Sequence, residues 1–258
     1  MGAVRIPLIG RIVVRDDDDP VLARHRRNCS IPGFGAPGQA RLAAARVLVA
    51  GAGGLGSPVL LYLAAAGVGT LGICDSDRVD VCNLQRQVLH GEADIGVPKP
   101  QSAARRLTGL DASLRIEQFP HVTVEFLAAH GRAWDLVMDC TDSFAAKYLV
   151  ADWCAEAGLP LVWGTVVGMR YQVSVFWSRP PAGLPATSLR GLYPVLPEPG
   201  STPAGAEAGV LGPVAGLAGT IMATEAIKLL AGIGEPLIGR VLVGDAGRGR
   251  SDTLTYAE

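Results

Sequence analysis

The sequence predicts an α/β fold: a doubly wound, mostly parallel sheet of Rossmann-like type that continues into an antiparallel region. Two observations carry this expectation. First, short apolar runs alternate with helical stretches at steady intervals from residue 46 to residue 163. That is the pattern of consecutive βα units, whose right-handed crossovers build parallel sheet. Second, the apolar run Val47-Leu48-Val49-Ala50 leads straight into Gly51-Ala52-Gly53-Gly54-Leu55-Gly56-Ser57-Pro58. Gly51, Gly53 and Gly56 stand at G-x-G-x-x-G spacing, which permits a tight turn, close approach to a phosphate and packing of helix on strand. Ser57 is expected to cap the next helix and Pro58 to open it. The free N–H groups of that helix end would then face an anion lying on the glycines, Gly54 included.

Along the chain, residues 1–20 read as an N-terminal extension in which Asp16–Asp19 form a solvated acidic turn. Residues 21–258 read as one domain, with 21–164 as its nucleotide-binding part and 165–258 as a second part. A basic cluster, Arg24, Arg26 and Arg27, precedes the turn Pro32-Gly33-Phe34-Gly35. Strands are expected at 46–50, 70–75, 114–119, 135–139 and 161–163, with helices at 57–66, 98–108, 123–130 and 143–157. Beyond Gly164, the alternation from Gln172 to Trp177 predicts a strand in a more antiparallel region. Residues 178–209 are rich in Pro, Gly, Ala and Ser and too long for an ordinary connection, so they form a crossover loop, either a mobile lid or disordered. An apolar helix interrupted by Glu225 and Lys228 is expected at 213–231, and a last strand at 238–243.

Composition narrows the function classes. With 258 residues, 49% apolar and 18% charged, the chain is globular. A net charge of −1 provides no global field for nucleic acid or a membrane surface. Met1 to Gly10 lacks an apolar signal core. The apolar reach from Ala43 to Cys74 is broken by the glycine turn and Pro58, so no membrane span is expected. The cysteines at 29, 74, 82, 140 and 154 include no C-x-x-C pair, which argues against a zinc clamp and for a reduced, cytoplasmic protein.

The chemistry is carried by later segments. Asp75 ends the second strand about 20 residues beyond the glycines, where a carboxylate accepts hydrogen bonds from ribose hydroxyls. Glycines and Asp75 alone fit a nicotinamide dehydrogenase as well as an ATP enzyme. Asp75-Ser76-Asp77, Asn83-Leu84-Gln85-Arg86-Gln87, Gly96-Val97-Pro98-Lys99 and Asp139-Cys140-Thr141-Asp142 break the tie. An enzyme cleaving ATP between its α and β phosphates needs cations for the pyrophosphate and a carboxylate for Mg²⁺.

With these motifs, and with Arg24-His25-Arg26-Arg27-Asn28 and Thr224-Glu225-Ala226-Ile227-Lys228, the sequence resembles the ubiquitin-activating-enzyme-like adenylyltransferases of the ThiF/MoeB/HesA type. Within these it looks like the bacterial enzymes that activate sulfur-carrier proteins. The resemblance spans roughly residues 21–245. It implies that ATP sits on Gly51, Gly53, Gly54 and Gly56, with Asp75 at the ribose and Asp77, Gln87 and Ser143 lining the nucleotide. Asn83, Arg86 and Lys99 would hold the triphosphate, and Asp142 would bind Mg²⁺. Arg27 would reach into the ATP site of a partner subunit, so that a homodimer is needed. The substrate would be the C-terminal carboxylate of a small ubiquitin-like carrier ending in Gly-Gly, docked on residues 165–258 and adenylated with release of pyrophosphate.

The chain departs from the family in two respects. The zinc-binding C-x-x-C pairs are absent, so zinc is not expected. No cysteine occurs from 155 to 258, and the position of the family's crossover-loop cysteine falls at Gly205 or a neighbour. A covalent acyl-thiol at that loop is therefore excluded, and sulfur would come from a donor in trans. Three other readings are weighed beside this one: adenylation of a peptide or tRNA, an NAD-dependent oxidoreductase, and a catalytically silent scaffold. Nucleic acid is the less favoured partner.

Overall fold

The computed structural model describes residues 4–9, 13, 20–198 and 209–257. The acidic run Asp16–Asp19 and the stretch 199–208 of the crossover loop, Gly205 included, lie outside the described residues. Among the described residues the strands form one sheet of eight, in the order β3-β2-β1-β4-β5-β6-β7-β8. They are β1 (Arg46–Ala50), β2 (Thr70–Cys74), β3 (Arg115–Phe119), β4 (Leu136–Asp139), β5 (Leu161–Val167), β6 (Arg170–Phe176), β7 (Arg240–Asp245) and β8 (Arg250–Thr255). β3 to β5 in that order are parallel, and β6, β7 and β8 add antiparallel.

The four central parallel strands need cover on both faces, and their sequences supply it. Val47 and Val49 of β1 face one apolar cluster, while Leu48 and Ala50 face the other, the period-two consequence of a pleated strand. The first face is covered by α2 (Gly35–Ala44), α3 (Gly56–Ala66), α4 (Lys99–Leu110) and α8 (Gly212–Ala231), after the short α1 (Arg26–Cys29). The second is covered by α5 (Val124–His130), α6 (Phe144–Ala157) and α7 (Leu189–Leu192). Polar starts and glycine stops set several helix ends. Thr123 accepts from the Phe126 N–H and Ser143 from the Ala146 N–H, and α3 and α6 end on left-handed Gly67 and Gly158.

Several expectations are corrected. Ser57 does not cap α3: the N-cap is Leu55, without a side-chain bond, and Ser57 lies inside the helix with its buried Oγ unpartnered. The glycine turn runs into the helix two residues earlier than the cap signal indicates. β5 extends to Val167 and pairs along its whole length with β6, because the tight turn at Gly168 (φ +60) returns the chain at once. The last strand is not the end of the sheet: β8 follows β7 through a turn at Ala246–Gly249. β8 is an exposed edge without apolar alternation, which left no periodic signal to read. The first part of the crossover loop carries α7, and Tyr148 Oη donates to the carbonyls of Tyr193 and Val195, tying it to α6.

α8 is long and apolar enough to cross a membrane, with a mean hydropathy of 1.4, yet 61% of that stretch is buried against the sheet and its neighbours. Glu225 and Lys228 do not interrupt it. Glu225 is buried, pairs with Lys228 and accepts from the Leu237 N–H at 2.8 Å. The pair therefore ties the core helix to the approach to β7. Glu225→Ala leaves that buried N–H without an acceptor and should lower stability by about 1–3 kcal/mol in urea unfolding at neutral pH; an unchanged unfolding midpoint would contradict this role.

Candidate nucleotide site

The glycine turn sits where β1, β2 and β4 end, the carboxyl edge at which open parallel sheets place ligands. Gly51 has φ +99°, and a Cβ there would lie 2.6 Å from the Cys140 carbonyl oxygen; one on Gly56 would lie 2.0 Å from the Gly51 carbonyl oxygen. These two glycines are required by the protein's own backbone. Gly53 and Gly54 are different: a Cβ on Gly53 meets only Gln87 Nε2 at 3.6 Å, and one on Gly54 meets Ala215 Cβ at 3.3 Å and the stem of Arg86 at 3.5 Å. They form the floor on which a phosphate can rest.

Asp75 is fixed by its own loop. One carboxylate oxygen accepts from the Ala52 N–H at 2.7 Å and the other from the Asp77 N–H at 2.8 Å. This leaves the outer lone pairs of both oxygens for ribose hydroxyls. His90 braces the turn from beneath, with Nε2 3.0 Å from the Ala52 carbonyl and Nδ1 2.8 Å from Ser102 Oγ on α4. The carbonyl can only accept, so the proton is on Nε2 and Nδ1 accepts from the serine. Burial holds the His90 imidazole below its usual pKa.

Two cations come from the segment that follows β2, and the stem of one of them, Arg86, lies against Gly54. Arg86 is half-buried and donates to the Cys82 carbonyl at 3.1 Å. Lys99 opens α4 and is 4% exposed; its Nζ donates to Asp77 Oδ2 at 2.8 Å and its N–H to the Asp77 carbonyl at 2.9 Å. Asp77 thus holds the lysine ready beside the turn. Asn83 closes the capping box of the preceding turn through the Asp80 N–H at 3.3 Å. Gln87 is 4% exposed and its Oε1 has no partner. A buried amide oxygen without a donor fits a ligand that brings a hydroxyl or amino donor, as a nucleoside does, while the Gln87 amide nitrogen, the nearest atom over Gly53, can donate to a phosphate oxygen.

On the other side of the turn, Cys140 N–H donates to the Ala50 carbonyl at 2.8 Å, and Asp142 follows, exposed, just before the α6 cap Ser143. Among the described residues, no three His, Cys, Asp or Glu side chains gather into a metal site. Mg²⁺ does not require such a cage: one or two carboxylates with phosphate oxygens and waters are its usual set, and Asp142 is an exposed carboxylate of the kind that could take part. No disulfide joins the described cysteines. Burial pushes the Cys74 thiol up to about 12 and raises Cys140 and Cys154 likewise. These three do not provide thiolates near neutral pH.

The structure therefore brings together the glycines, Asp75, Asp77, Asn83, Arg86, Gln87, Lys99, Asp142 and Ser143 at one edge of the sheet. It does not bring Arg27 to the glycine turn of its own chain. Arg27 is exposed on α1, whose neighbours Arg24 and Cys29 lie at the carboxyl ends of α4 and α8, beside Leu110 and Ala231. Those are the helix ends away from the site. Clefts of 540 Å³, lined in part by Gln39, Thr70 and Arg115, and of 480 Å³, lined in part by Cys29 and Arg41, also lie away from it. Sequence reasoning missed His90, Ser102 and Lys147. Lys147, eight residues after Asp139 on the helix that follows the motif, was the one with a spacing to notice.

The family model described as ThiF family matches residues 25–258. The chain belongs to the ThiF family. Among its relatives, the probable adenylyltransferase/sulfurtransferase MoeZ of Mycobacterium tuberculosis is 50% identical over 230 residues, covering 87% of this chain and 57% of MoeZ. The chain thus spans little more than half the length of that relative. The sulfur carrier protein adenylyltransferase of Thermus thermophilus is 45% identical over 226 residues, covering 87% of this chain and 83% of that protein. The SAMP-activating enzyme E1 of Haloferax volcanii is 41% identical over 241 residues, covering 93% and 87%. Among solved structures, Escherichia coli MccB superposes with a TM-score of 0.78 at 18% identity over 95% of this chain and 72% of MccB, a likeness of fold.

Two outcomes test this geometry in the ThiF-family chain. Gly51→Ala forces a Cβ into the Cys140 carbonyl and should cost at least about 1–3 kcal/mol; a folded variant of unchanged melting temperature would contradict the close approach. The lowered His90 pKa makes its contribution to stability complete above its ordinary value of 6.5 and lost as the pH falls below it. Between pH 7 and pH 5 the wild type should therefore lose more thermal stability than His90→Gln, whose amide can still donate to Ala52. Equal losses would contradict the assignment.

Proposed function

We propose that this chain is an ATP-dependent adenylyltransferase acting on the C-terminal carboxylate of a small ubiquitin-like sulfur carrier ending in Gly-Gly. The observation that carries it is the glycine turn with the Arg86 stem against Gly54 and the Gln87 amide nitrogen against Gly53, together with Lys99 held by Asp77 at the start of α4 and Asp142 exposed beyond β4. A dehydrogenase would have no use for two cations and a second carboxylate at this point. The names of the relatives from Thermus and Haloferax support the same reaction.

The carboxylate of the carrier is itself the nucleophile. It attacks the α-phosphorus, an acyl-adenylate forms, and the bond to the bridging oxygen breaks with release of pyrophosphate. The work of the protein is positioning and charge stabilisation. Asp75 orients the ribose, Gly51 to Gly56 with Asn83, Gln87 and Ser143 seat the nucleotide, and Arg86 and Lys99 neutralise the departing pyrophosphate. Lys99 would exchange Asp77 for phosphate as the nucleotide binds. Asp142 would hold Mg²⁺, which when bound offsets phosphate charge. Arg27, turned away from its own site, would serve the partner subunit's site in a homodimer. With no crossover-loop cysteine the reaction stops at the adenylate, and a sulfur donor in trans completes it. Residues 1–20 would be an extension, 21–164 the nucleotide part and 165–258 the carrier-docking part of one cytoplasmic domain that uses ATP and Mg²⁺ without zinc.

ATP–pyrophosphate exchange with Mg²⁺ and Gly-Gly-terminated carriers from the same organism tests this reading. Exchange that depends on one carrier is the expected result; exchange driven only by a peptide or an RNA, or none at all, would overturn it. Arg86→Ala, Lys99→Ala and Asp142→Ala should each lower exchange about 10²–10³-fold in folded protein. Arg27→Ala and Lys99→Ala should each be nearly inactive alone. Mixed and allowed to exchange subunits, they should recover about one quarter of wild-type activity, since half the dimers carry one intact site. No recovery would exclude Arg27 acting in trans.

A further inference from the structure

Beneath the carboxyl end of β4 lies a buried ion pair that the nucleotide site does not use. Asp139 is fully buried, and Lys147, on the second turn of α6, is 4% exposed. Lys147 Nζ donates to the Gly164 carbonyl on β5 at 2.7 Å and lies 3.4 Å from Asp139 Oδ2, over the Trp163 ring at 5.7 Å. The other oxygen of Asp139 accepts from Thr141 N–H at 3.0 Å and from Thr141 Oγ1 at 2.6 Å. The pair thus links β4, β5 and α6 and closes a turn around residues 140–141, whose next residue is Asp142.

Stability does not account for such a pair. Removing two charges from water costs several kcal/mol per ion, and well-packed apolar residues of similar volume do as well or better. What the pair achieves is orientation. With Asp139 fixed, the Thr141 backbone and hydroxyl have one arrangement, and the Cys140 carbonyl remains pressed on Gly51. Mobile ligands bind metals less tightly than ligands whose outer partners hold them still.

We propose that Lys147 is a positioning residue for the Mg²⁺ end of the site, acting through Asp139 and Thr141 on the loop that presents Asp142. The inference rests on the assignment of Asp142 to Mg²⁺ made above. Lys147 touches neither nucleotide nor metal; it determines where Asp142 stands.

Calorimetric titration of ATP into the full-length protein at a series of Mg²⁺ concentrations separates these roles without relying on turnover. Lys147→Met should raise the Mg²⁺ concentration for half-maximal ATP binding by about 10–100-fold, while ATP binding without Mg²⁺ changes little. Lys147→Arg should restore most of the Mg²⁺ response. Asp142→Ala placed on Lys147→Met should add almost nothing to the loss. Thr141→Val, which removes the hydroxyl brace without touching the buried charges, should shift the Mg²⁺ response in the same direction and decides the matter if Lys147→Met does not fold. A folded Lys147→Met or Thr141→Val with a wild-type Mg²⁺ response would overturn the inference, even if its melting temperature fell. If Asp142→Ala alone leaves the Mg²⁺ response unchanged, the assignment of Asp142 fails, and this inference with it.

Discussion

The close seating of the Cys140 carbonyl on Gly51 is the contact on which the site depends. It presses the end of β4 against the turn that leaves β1, and the Cys140 N–H bond to Ala50 keeps it there. Asp75 holds the same turn from the β2 side through Ala52, and His90, bonded to Ser102 on α4, holds it through the Ala52 carbonyl. Three strand ends and one helix therefore share a single backbone arrangement. The open glycines, Gly53 and Gly54, inherit their position from it, and so does the distance between the cations on one side and Asp142 on the other.

That constraint also explains the distribution of charge. Arg86 and Lys99 come from the segment 83–99, whereas Asp142, the carboxylate proposed for Mg²⁺, comes from beyond β4. In the proposed reaction a polyphosphate on the glycine turn would meet Arg86 and Lys99 along one flank and any Mg²⁺ held by Asp142 on the other, which would favour departure of pyrophosphate. Lys99, buried at the start of its helix where the dipole disfavours a cation, is kept there by Asp77. Phosphate is a natural replacement for that carboxylate.

Much of this was legible in the sequence. The parallel core was marked by apolar runs of strand length between helical stretches, and the observed boundaries of β1 to β4 fall within a residue of those expected. Gly51 and Gly56 were legible because their spacing encodes a backbone geometry, although the sequence could not separate these two structural glycines from the open pair Gly53 and Gly54. β8 was not legible, since an exposed edge strand carries no apolar alternation. Ser57 misled because a good capping residue sits at the second position of a helix whose start the glycines dictate. His90 braces Ala52 and Lys147 donates to Gly164, both distant in sequence, and neither contact leaves a local pattern, although the spacing of Lys147 from Asp139 was there to read. Glu225 and Lys228, read as interruptions of an apolar helix, are a buried pair that fastens it to the chain entering β7.

In the proposed reading the nucleotide lies at the carboxyl edge of β1, β2 and β4, on the glycine turn. Hydrogen–deuterium exchange with and without ATP and Mg²⁺ reads this directly. Exchange should slow over 51–58, 83–99 and 140–143, with the cleft around Thr70, Asp111 and Arg115 unchanged. Protection confined to that cleft, with the glycine turn exchanging at its free rate, would contradict it.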